Sequence, residues 1–323
     1  MGLPTLSKTW QFNVNNQVTA QGSAIATNRK LLRGIKTALI GFGTLPWAVR
    51  YSCDSVAAGS AGDAVDRWDA DTDLVWNTSG SAHSWIVLRQ TGVSSTFELL
   101  ISCEAASASG SNVTLVVSTS AFSGGSTTAR PTATDEVVLL SGQWNSSFDV
   151  AARYSVWQST DGECTRVVVS QSSTTWGVWL IEKPANPSSS WTTPYVAMAL
   201  YANTAATINT YLTGTESAGM ARIRSGSTTG KCSLTVEGTS APIAWDTAFG
   251  NVANEISGAW DFWPVGFVCL TTGVRGRHGN FTDLFMGSGG VSTLDCYPND
   301  GSNQFVQLFG LIHPWNGSTP ALS

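Results

Sequence analysis

Five aspartates lie close together in this chain, and three of them have the spacing of a metal site. Asp69, Asp71 and Asp73 occupy the first, third and fifth positions of a calcium-binding loop. The sixth position is Leu74 where such a loop needs glycine, and the twelfth is Gly80 where it needs a bidentate glutamate. We therefore expect a solvated acidic loop and keep these three aspartates as the calcium candidate. The whole cluster is Asp63, Asp66, Asp69, Asp71 and Asp73.

None of the histidines lies in a sequence motif that is typical of catalysis. His83, His278 and His313 belong to no zinc-protease motif, and the serines form no nucleophile elbow. We therefore expect a protein with no catalytic residues and no cofactor, in which His83 and His313 make structural hydrogen bonds. A pair of carboxylates for glycoside hydrolysis is brought together only by the fold. A hydrolase of envelope polymers thus stays open as a third alternative.

Tryptophan is the other residue type that points to a binding chemistry, because an indole ring stacks well on a sugar. The chain has 14 tryptophans, and most are expected to anchor cores and interfaces. Trp176 and Trp179 are three positions apart in a predicted strand, which places their rings on opposite faces. At least one ring therefore leaves the local core. These two residues are the glycan-binding candidates.

The surface that must carry such sites has few charges. Only 12% of the residues are charged, against about 25% in ordinary globular chains. The net charge of −5 argues against a nucleic-acid partner. The basic run over residues 29–36 is interpreted as the solvated face of a helix, and Arg275–Asn280 as a loop or subunit contact. A surface with so few like charges repels copies of itself weakly, which favours self-assembly.

Segments that direct a chain into or across a membrane are not recognised. No stretch approaches the ~20 apolar residues that span a bilayer, and residues 1–8 lack the features of a secretory signal. We expect assembly in the cytoplasm and no membrane insertion. The six cysteines have no metal or redox spacing, and buried free thiols are favoured over disulfides.

The elements that position these residues are mostly strands. Residues 9–14 alternate apolar and polar side chains, which indicates a half-buried strand. Residues 24–40 have helical periodicity and end before Gly41 and Gly43. From residue 46 onward short strands alternate with turns, as in sheets packed face to face. Strands are predicted over residues 85–89, 97–103, 114–118, 164–169, 176–182, 195–201 and 232–236.

The predicted fold class is all-β: an antiparallel β-sandwich or jelly-roll-like unit, preceded by an N-terminal arm and one amphipathic helix. Residues 1–44 form the arm and helix, which we expect to dock on another protein. Residues 45–185 form the sandwich. Residues 186–323 are a β-rich continuation, and a single domain across both parts stays possible. The interface candidates are Trp10, Phe12, Leu31, Leu32, Ile35 and Leu39.

Several segments of the chain resemble virion structural proteins of tailed bacteriophages and prophages. The segments are residues 84–92, 127–136, 276–279, 283–285 and 311–317. The resemblance implies a particle component, without indicating which one, and it brings no catalytic residues with it. The expected function is a non-enzymatic, homo-oligomeric component of the head surface, neck or tail, located in the virion. Its partners would be other copies and neighbouring virion proteins. The alternative is a receptor-binding module that contacts host glycan through exposed tryptophans.

Overall fold

The computed structural model describes the chain in segments from residue 6 to residue 315. The described residues are 6–20, 22, 24–54, 56–68, 83–90, 97–107, 110–118, 120–134, 136–143, 151–172, 175–182, 195–204, 207–209, 220–225, 228–236, 262–269, 276–287, 296–297, 305–308 and 311–315. Asp69, Asp71 and Asp73 lie outside them.

The elements follow one another as a strand, a helix and then strands alone. In chain order they are β1 Trp10–Val18, α1 Ala24–Ile40, β2 Trp47–Cys53, β3 His83–Gln90, β4 Phe97–Ser107, β5 Gly110–Ser118, β6 Val137–Gln143, β7 Ala152–Ser159, β8 Cys164–Ser172, β9 Thr175–Glu182, β10 Tyr195–Thr204, β11 Thr207–Asn209, β12 Met220–Ser225, β13 Thr228–Val236, β14 Phe262–Cys269, β15 Gly276–Gly287, β16 Cys296–Tyr297, β17 Phe305–Leu308 and β18 Leu311–Pro314.

Two antiparallel sheets contain the described strands. The small sheet has the order β2-β3-β4-β5-β6, so each strand pairs with the next one in the chain. The large sheet has 13 strands, and along its path the order is β1-β7-β8-β9-β10-β12-β13-β14-β15-β18-β17-β16. The prediction of an all-β fold with one helix is confirmed for the described residues. The large sheet crosses the predicted 185/186 boundary, because β9 pairs with β10.

Helix α1 forms where the sequence predicts it and packs in the core of the chain. The spacing of Leu31, Leu32, Ile35 and Leu39 places their side chains on one face, and each is at most 1% exposed. Full burial of such a side chain contributes about 1.5–3 kcal/mol. One apolar core, here called the shared core, joins this face of the helix to one face of each sheet. Its sheet members include Ile86, Leu88, Leu99, Ile101, Val113, Leu115, Tyr154, Val156, Val167, Val169, Trp179 and Ile181.

The basic side of α1 is not fully solvated, which corrects the expectation for residues 29–36. Lys36 is 1% exposed, and its Nζ lies 2.6 Å from Oδ2 of Asp66. Arg33 Nε donates to the carbonyl of Trp68 at 2.7 Å. Asp66 and Trp68 therefore cover part of this side of the helix, whereas Lys30 remains exposed. A periodic pattern locates the apolar face but does not show which loop covers the polar one.

The outer face of the small sheet is covered by residues 120–134. The indole of Trp85 packs edge-on against Tyr51 with ring centroids 5.1 Å apart, and its Nε1 donates to the carbonyl of Ser126 at 2.9 Å. Buried Glu98 accepts a hydrogen bond from the backbone of Phe122 at 2.8 Å. Burial and the nearby Glu98 carboxylate raise the pKa of Tyr51 to about 12. The covering residues thus contact β3 through Ser126 and β4 through Phe122.

Cys53, Cys103 and Cys164 are buried cysteines that are not joined in disulfides. Burial raises the pKa of Cys164 strongly, with a further contribution from Glu182. Within the described segments, no helix has the length and apolar character needed to cross a membrane.

Candidate functional site

The most unusual group of side chains lies where the beginning of the described chain meets its end. Residues 6–18, here called the docked segment, include β1, which pairs with β7 along the edge of the large sheet. Beneath the docked segment lies a set of buried side chains, here called the bed. The bed consists of Trp157, Arg166, Glu182, Thr282, Asp283, His313 and Trp315.

Asp283 fixes the start of the docked segment. Its Oδ1 accepts hydrogen bonds from the backbone N–H of Ser7 at 2.8 Å and from the Ser7 hydroxyl at 2.6 Å. Its Oδ2 accepts from the backbone N–H of Lys8 at 3.1 Å and from Nε1 of Trp10 at 2.9 Å. Four donors from one short segment therefore converge on one carboxylate that is only 7% exposed.

The position of Asp283 results from an irregularity in β15. The pairing of β14 with β15 moves from Gly266 opposite Asn280 to Pro264 opposite Phe285. Four β15 residues therefore lie across from one β14 residue, as in an enlarged β-bulge that redirects side chains. Asp283 has a φ of +51° within this bulge, a left-handed conformation that aspartate tolerates better than most residues.

A fully buried ion pair holds the backbone of the bulge. Arg166 and Glu182 are both 0% exposed, and their closest side-chain atoms are 3.0 Å apart. Arg166 also donates to the carbonyls of Thr282 and Asp283. Oε1 of Glu182 accepts from the backbone N–H of Thr282 at 2.6 Å. A buried ion pair is costly unless further hydrogen bonds satisfy it, and here these bonds go to the bulge.

The docked segment completes the charge balance of the bed. Among the described residues of the bed, Arg166 is the one cation and Glu182 and Asp283 are the two carboxylates. Arg166 pairs with Glu182, so the carboxylate of Asp283 is stabilised mainly by the dipoles of hydrogen-bond donors. The Ser7 and Lys8 backbone N–H groups supply part of this stabilisation. The guanidinium of Arg166 also stacks over the ring of Trp10, at 4.6 Å from its centroid. Burial raises the pKa of Glu182, although the charge of Arg166 opposes that shift.

Aromatic rings form the other half of the bed. His313 lies edge-on to Trp157 with centroids 5.2 Å apart. Trp315 contacts both Trp157 and Phe12 of the docked segment, at centroid distances of 6.4 and 5.5 Å. Neither ring nitrogen of His313 has a hydrogen-bond partner within the described part of the chain. The expected structural hydrogen bond of His313 is therefore not seen, and the buried imidazole packs edge-on against the indole of Trp157.

The protonation of His313 follows from this environment. Burial lowers its pKa well below 6.5, and the positive charge of Arg166 lowers it further. The ring is therefore neutral at neutral pH, which avoids a second buried cation beside Arg166.

At the solvent edge, an ion pair joins the docked segment to the turn after β7. Lys8 Nζ contacts Oδ2 of Asp161, and these side chains are 24% and 49% exposed. Burial acts to raise the pKa of Asp161, but the bonds from Lys8 and Ser159 lower it overall. For Lys8, burial acts to lower the pKa, and Asp161 more than compensates. Nearby, the N–H of Thr160 donates to the carbonyl of Thr9 at 2.9 Å.

The structure separates the interface candidates into two groups. Trp10 and Phe12 belong to the docked segment and contact the bed. Leu31, Leu32, Ile35 and Leu39 lie in the core of their own chain. Contact between these six side chains and a second protein stays a prediction. For the four helix residues it would require α1 to leave both sheets.

The glycan and metal candidates gain no exposed site from the structure. Trp179 is 3% exposed and packs in the shared core. Trp176 lies in β9, and its side chain is outside the described part of the chain. Among the described residues, no group of three or more histidine, cysteine, aspartate or glutamate side chains has the arrangement of a metal site. Residues 276–280 belong to β15 and are not a loop.

Sequence reasoning did not single out Arg166, Glu182 or Asp283. Each stands alone among apolar or small residues within a strand, as in Phe281-Thr282-Asp283-Leu284-Phe285. Opposite charges inside otherwise apolar strands are the available signal, because isolated charges are rarely buried without a partner. The sequence does not reveal which strands pair with one another, and so it does not show which of these charges meet. The assembled site can bind a peptide segment that presents backbone N–H groups, an indole ring and a phenyl ring, as the docked segment does.

Three comparisons with known proteins give no match. No family model matches the chain. Searches among curated proteins and among solved structures likewise find none similar to it.

Proposed function

We propose that the chain is a non-enzymatic structural component of a bacteriophage virion that assembles as a homo-oligomer. The observation that carries this proposal is the bed, where the described charged groups are used to hold a peptide segment. Arg166, Glu182 and Asp283 all bind backbone groups of the bulge or of the docked segment. Such an arrangement suits a protein whose task is to hold segments in fixed places.

The resemblance to virion proteins is a second argument for the same proposal. Two of the segments that carry it lie side by side, since β15 pairs with β18 at Phe285 opposite Ile312. They contribute Asp283, His313 and Trp315 to the bed. The low charge of the surface favours packing beside identical copies, because it provides little like-charge repulsion.

The receptor-binding alternative receives less support. Trp179 would have to leave the shared core to stack on a sugar, since it is 3% exposed. Exposing a side chain of this size costs several kcal/mol.

Two measurements on the full-length chain test the proposal. Light scattering after size-exclusion chromatography should give a mass that is a multiple of the 34.1 kDa chain. Immunogold labelling of particles induced from the bacterium that encodes the chain should place gold at a constant position on the particles. A strictly monomeric protein that is absent from purified particles would contradict the proposal. The full chain is required, because removing residues 1–44 also removes α1 from the core.

A further inference from the structure

The docked segment is joined to the rest of the fold by a short and exposed connection. Between β1 and α1, Thr19, Ala20 and Gly22 are exposed, and Gly22 has a φ of +83°. The helix that follows has its own buried face in the shared core. Rotation within this connection would move the docked segment while α1 stays in place.

The bed recognises features that every copy of the chain presents identically. Asp283 accepts hydrogen bonds from the backbone of residues 7 and 8 and from the Trp10 indole, across a separation of 273 to 276 positions. Nothing in these contacts requires that the docked segment and the bed belong to one molecule. An arm from a second copy would make the same hydrogen bonds and the same ring contacts.

An empty bed is unfavourable, which restricts the possible states. Without the docked segment, Asp283 loses four hydrogen bonds, and Trp315 loses its contact with Phe12. Leaving a buried acceptor without donors costs about 1–3 kcal/mol, and more for a charged group. The bed is therefore filled in any stable state, either by its own docked segment or by that of another copy.

We propose that the docked segment is exchanged between copies, so that the bed of one molecule holds residues 6–18 of its neighbour. This inference rests on the proposed homo-oligomer and specifies the contact that builds it. The exchanged and unexchanged forms make the same contacts, so the balance between them depends on the connection and on protein concentration. High local concentration in an assembling particle favours the exchanged form.

The Lys8–Asp161 ion pair reports which molecule supplies the docked segment. A zero-length carbodiimide activates a carboxylate and joins it to a contacting amine as an amide, with the urea as by-product. Applied to the native full-length protein, it should link Lys8 to Asp161 because these side chains are in contact. The products are separated on a denaturing gel, and each band is digested and sequenced by mass spectrometry.

The expected result is a covalent dimer or larger species that contains the Lys8–Asp161 linked peptides. The fraction of this linkage found in such species should rise with protein concentration. If the linkage occurs only in monomer-sized chains while the native protein is oligomeric, exchange is excluded and the proposed homo-oligomer stands. A monomeric protein with the same internal linkage contradicts both proposals. Absence of the linkage from every band also overturns the exchange.

Lys8→Arg provides the matched control. The arginine keeps the positive charge beside Asp161, but its guanidinium does not form the amide. The ion pair is partly exposed, so the substitution should change stability little. Cross-linked dimer bands that persist in this variant arise from other contacts and are not evidence for exchange of the docked segment.

Discussion

Asp283 and Asp161 both bind the start of the docked segment, yet they differ in what surrounds them. Asp283 is 7% exposed and accepts four hydrogen bonds from the docked segment. The side chain of Asp161 is 49% exposed and pairs with Lys8 near water. Solvent can replace the second interaction but has little access to the first. The two aspartates therefore provide a matched comparison of buried and exposed anchoring.

We predict that Asp283→Asn lowers the free energy of unfolding by about 2–4 kcal/mol, whereas Asp161→Asn lowers it by less than about 1 kcal/mol. Asparagine also tolerates the left-handed backbone of position 283, so the comparison isolates the lost charge and acceptor. Its amide nitrogen would face two donors in place of an oxygen that accepts from them. Guanidinium denaturation of both variants measures the difference. Equal losses would show that Asp283 is no more important than a surface aspartate.

The residues of the bed illustrate what a sequence does and does not reveal. Phe12 and Trp10 are recognisable as strand residues from their alternation with polar neighbours. The partner of Trp10, Asp283, is 273 positions away along the chain, and Trp315 lies still farther from Phe12. No local sequence pattern connects these pairs. The sequence is therefore sufficient to predict that these aromatic residues are anchors, but not to find the carboxylate that fixes them.

At the scale of secondary-structure elements, sequence periodicity predicted best those elements that are buried on one face only. Helix α1 has the predicted bounds, Ala24–Ile40, because its apolar positions recur at helical spacing. Strand β7 was not predicted, since its buried residues include polar ones such as Ser155 and Gln158. They are buried because the large sheet is covered on both faces in this region. Two-sided burial removes the alternation on which strand prediction depends.

Gly34 gives a second prediction, because the helix lies very close to β7 at this residue. A Cβ added to Gly34 would be 2.3 Å from Oη of Tyr154. In an isolated helix alanine is favoured over glycine by about 1 kcal/mol, but here overpacking should reverse the sign. We expect Gly34→Ala to destabilise the protein by about 1–3 kcal/mol in thermal or denaturant unfolding.

Two further variants separate packing from helix propensity at this contact. Thr37→Ala changes an exposed position of the same helix and should be neutral or slightly stabilising. Gly34→Ala combined with Tyr154→Leu should show a coupling free energy of about 0.5–3 kcal/mol, because the shorter side chain makes room for the methyl group. Additive effects in this cycle would mean that the two residues do not touch.

For the whole molecule, the neutral state of His313 predicts how stability changes with pH. Its pKa in the folded chain is well below 6.5, while in the unfolded chain it takes the ordinary value of about 6.5. Below that pH the unfolded chain binds a proton that the folded chain does not. The stabilisation is therefore complete above pH ~6.5 and decreases as the pH falls.

Between pH 7.5 and 5.5 the wild-type chain should lose about 1.4 kcal/mol more stability than His313→Phe. Phenylalanine keeps a ring beside Trp157 but has no titratable nitrogen. The carboxylates, including Glu182, titrate in both proteins, so their contributions largely cancel in the difference. Denaturant unfolding at the two pH values gives the comparison. Parallel losses in both proteins would place the imidazole in an environment open to water.

The distance along the chain between Ser7 and Asp283 also sets an order of events during synthesis. The two residues are 276 positions apart, so at ~5–20 residues per second the ribosome needs roughly 15–55 s to connect them. Throughout that interval a nascent chain has its first strand but not the bulge that receives it. On a polysome, neighbouring nascent chains carry the same unplaced strand at different stages of translation. The spacing and timing of ribosomes on one message therefore set which beds such a strand meets first, before the finished copies equilibrate with one another at the prevailing protein concentration.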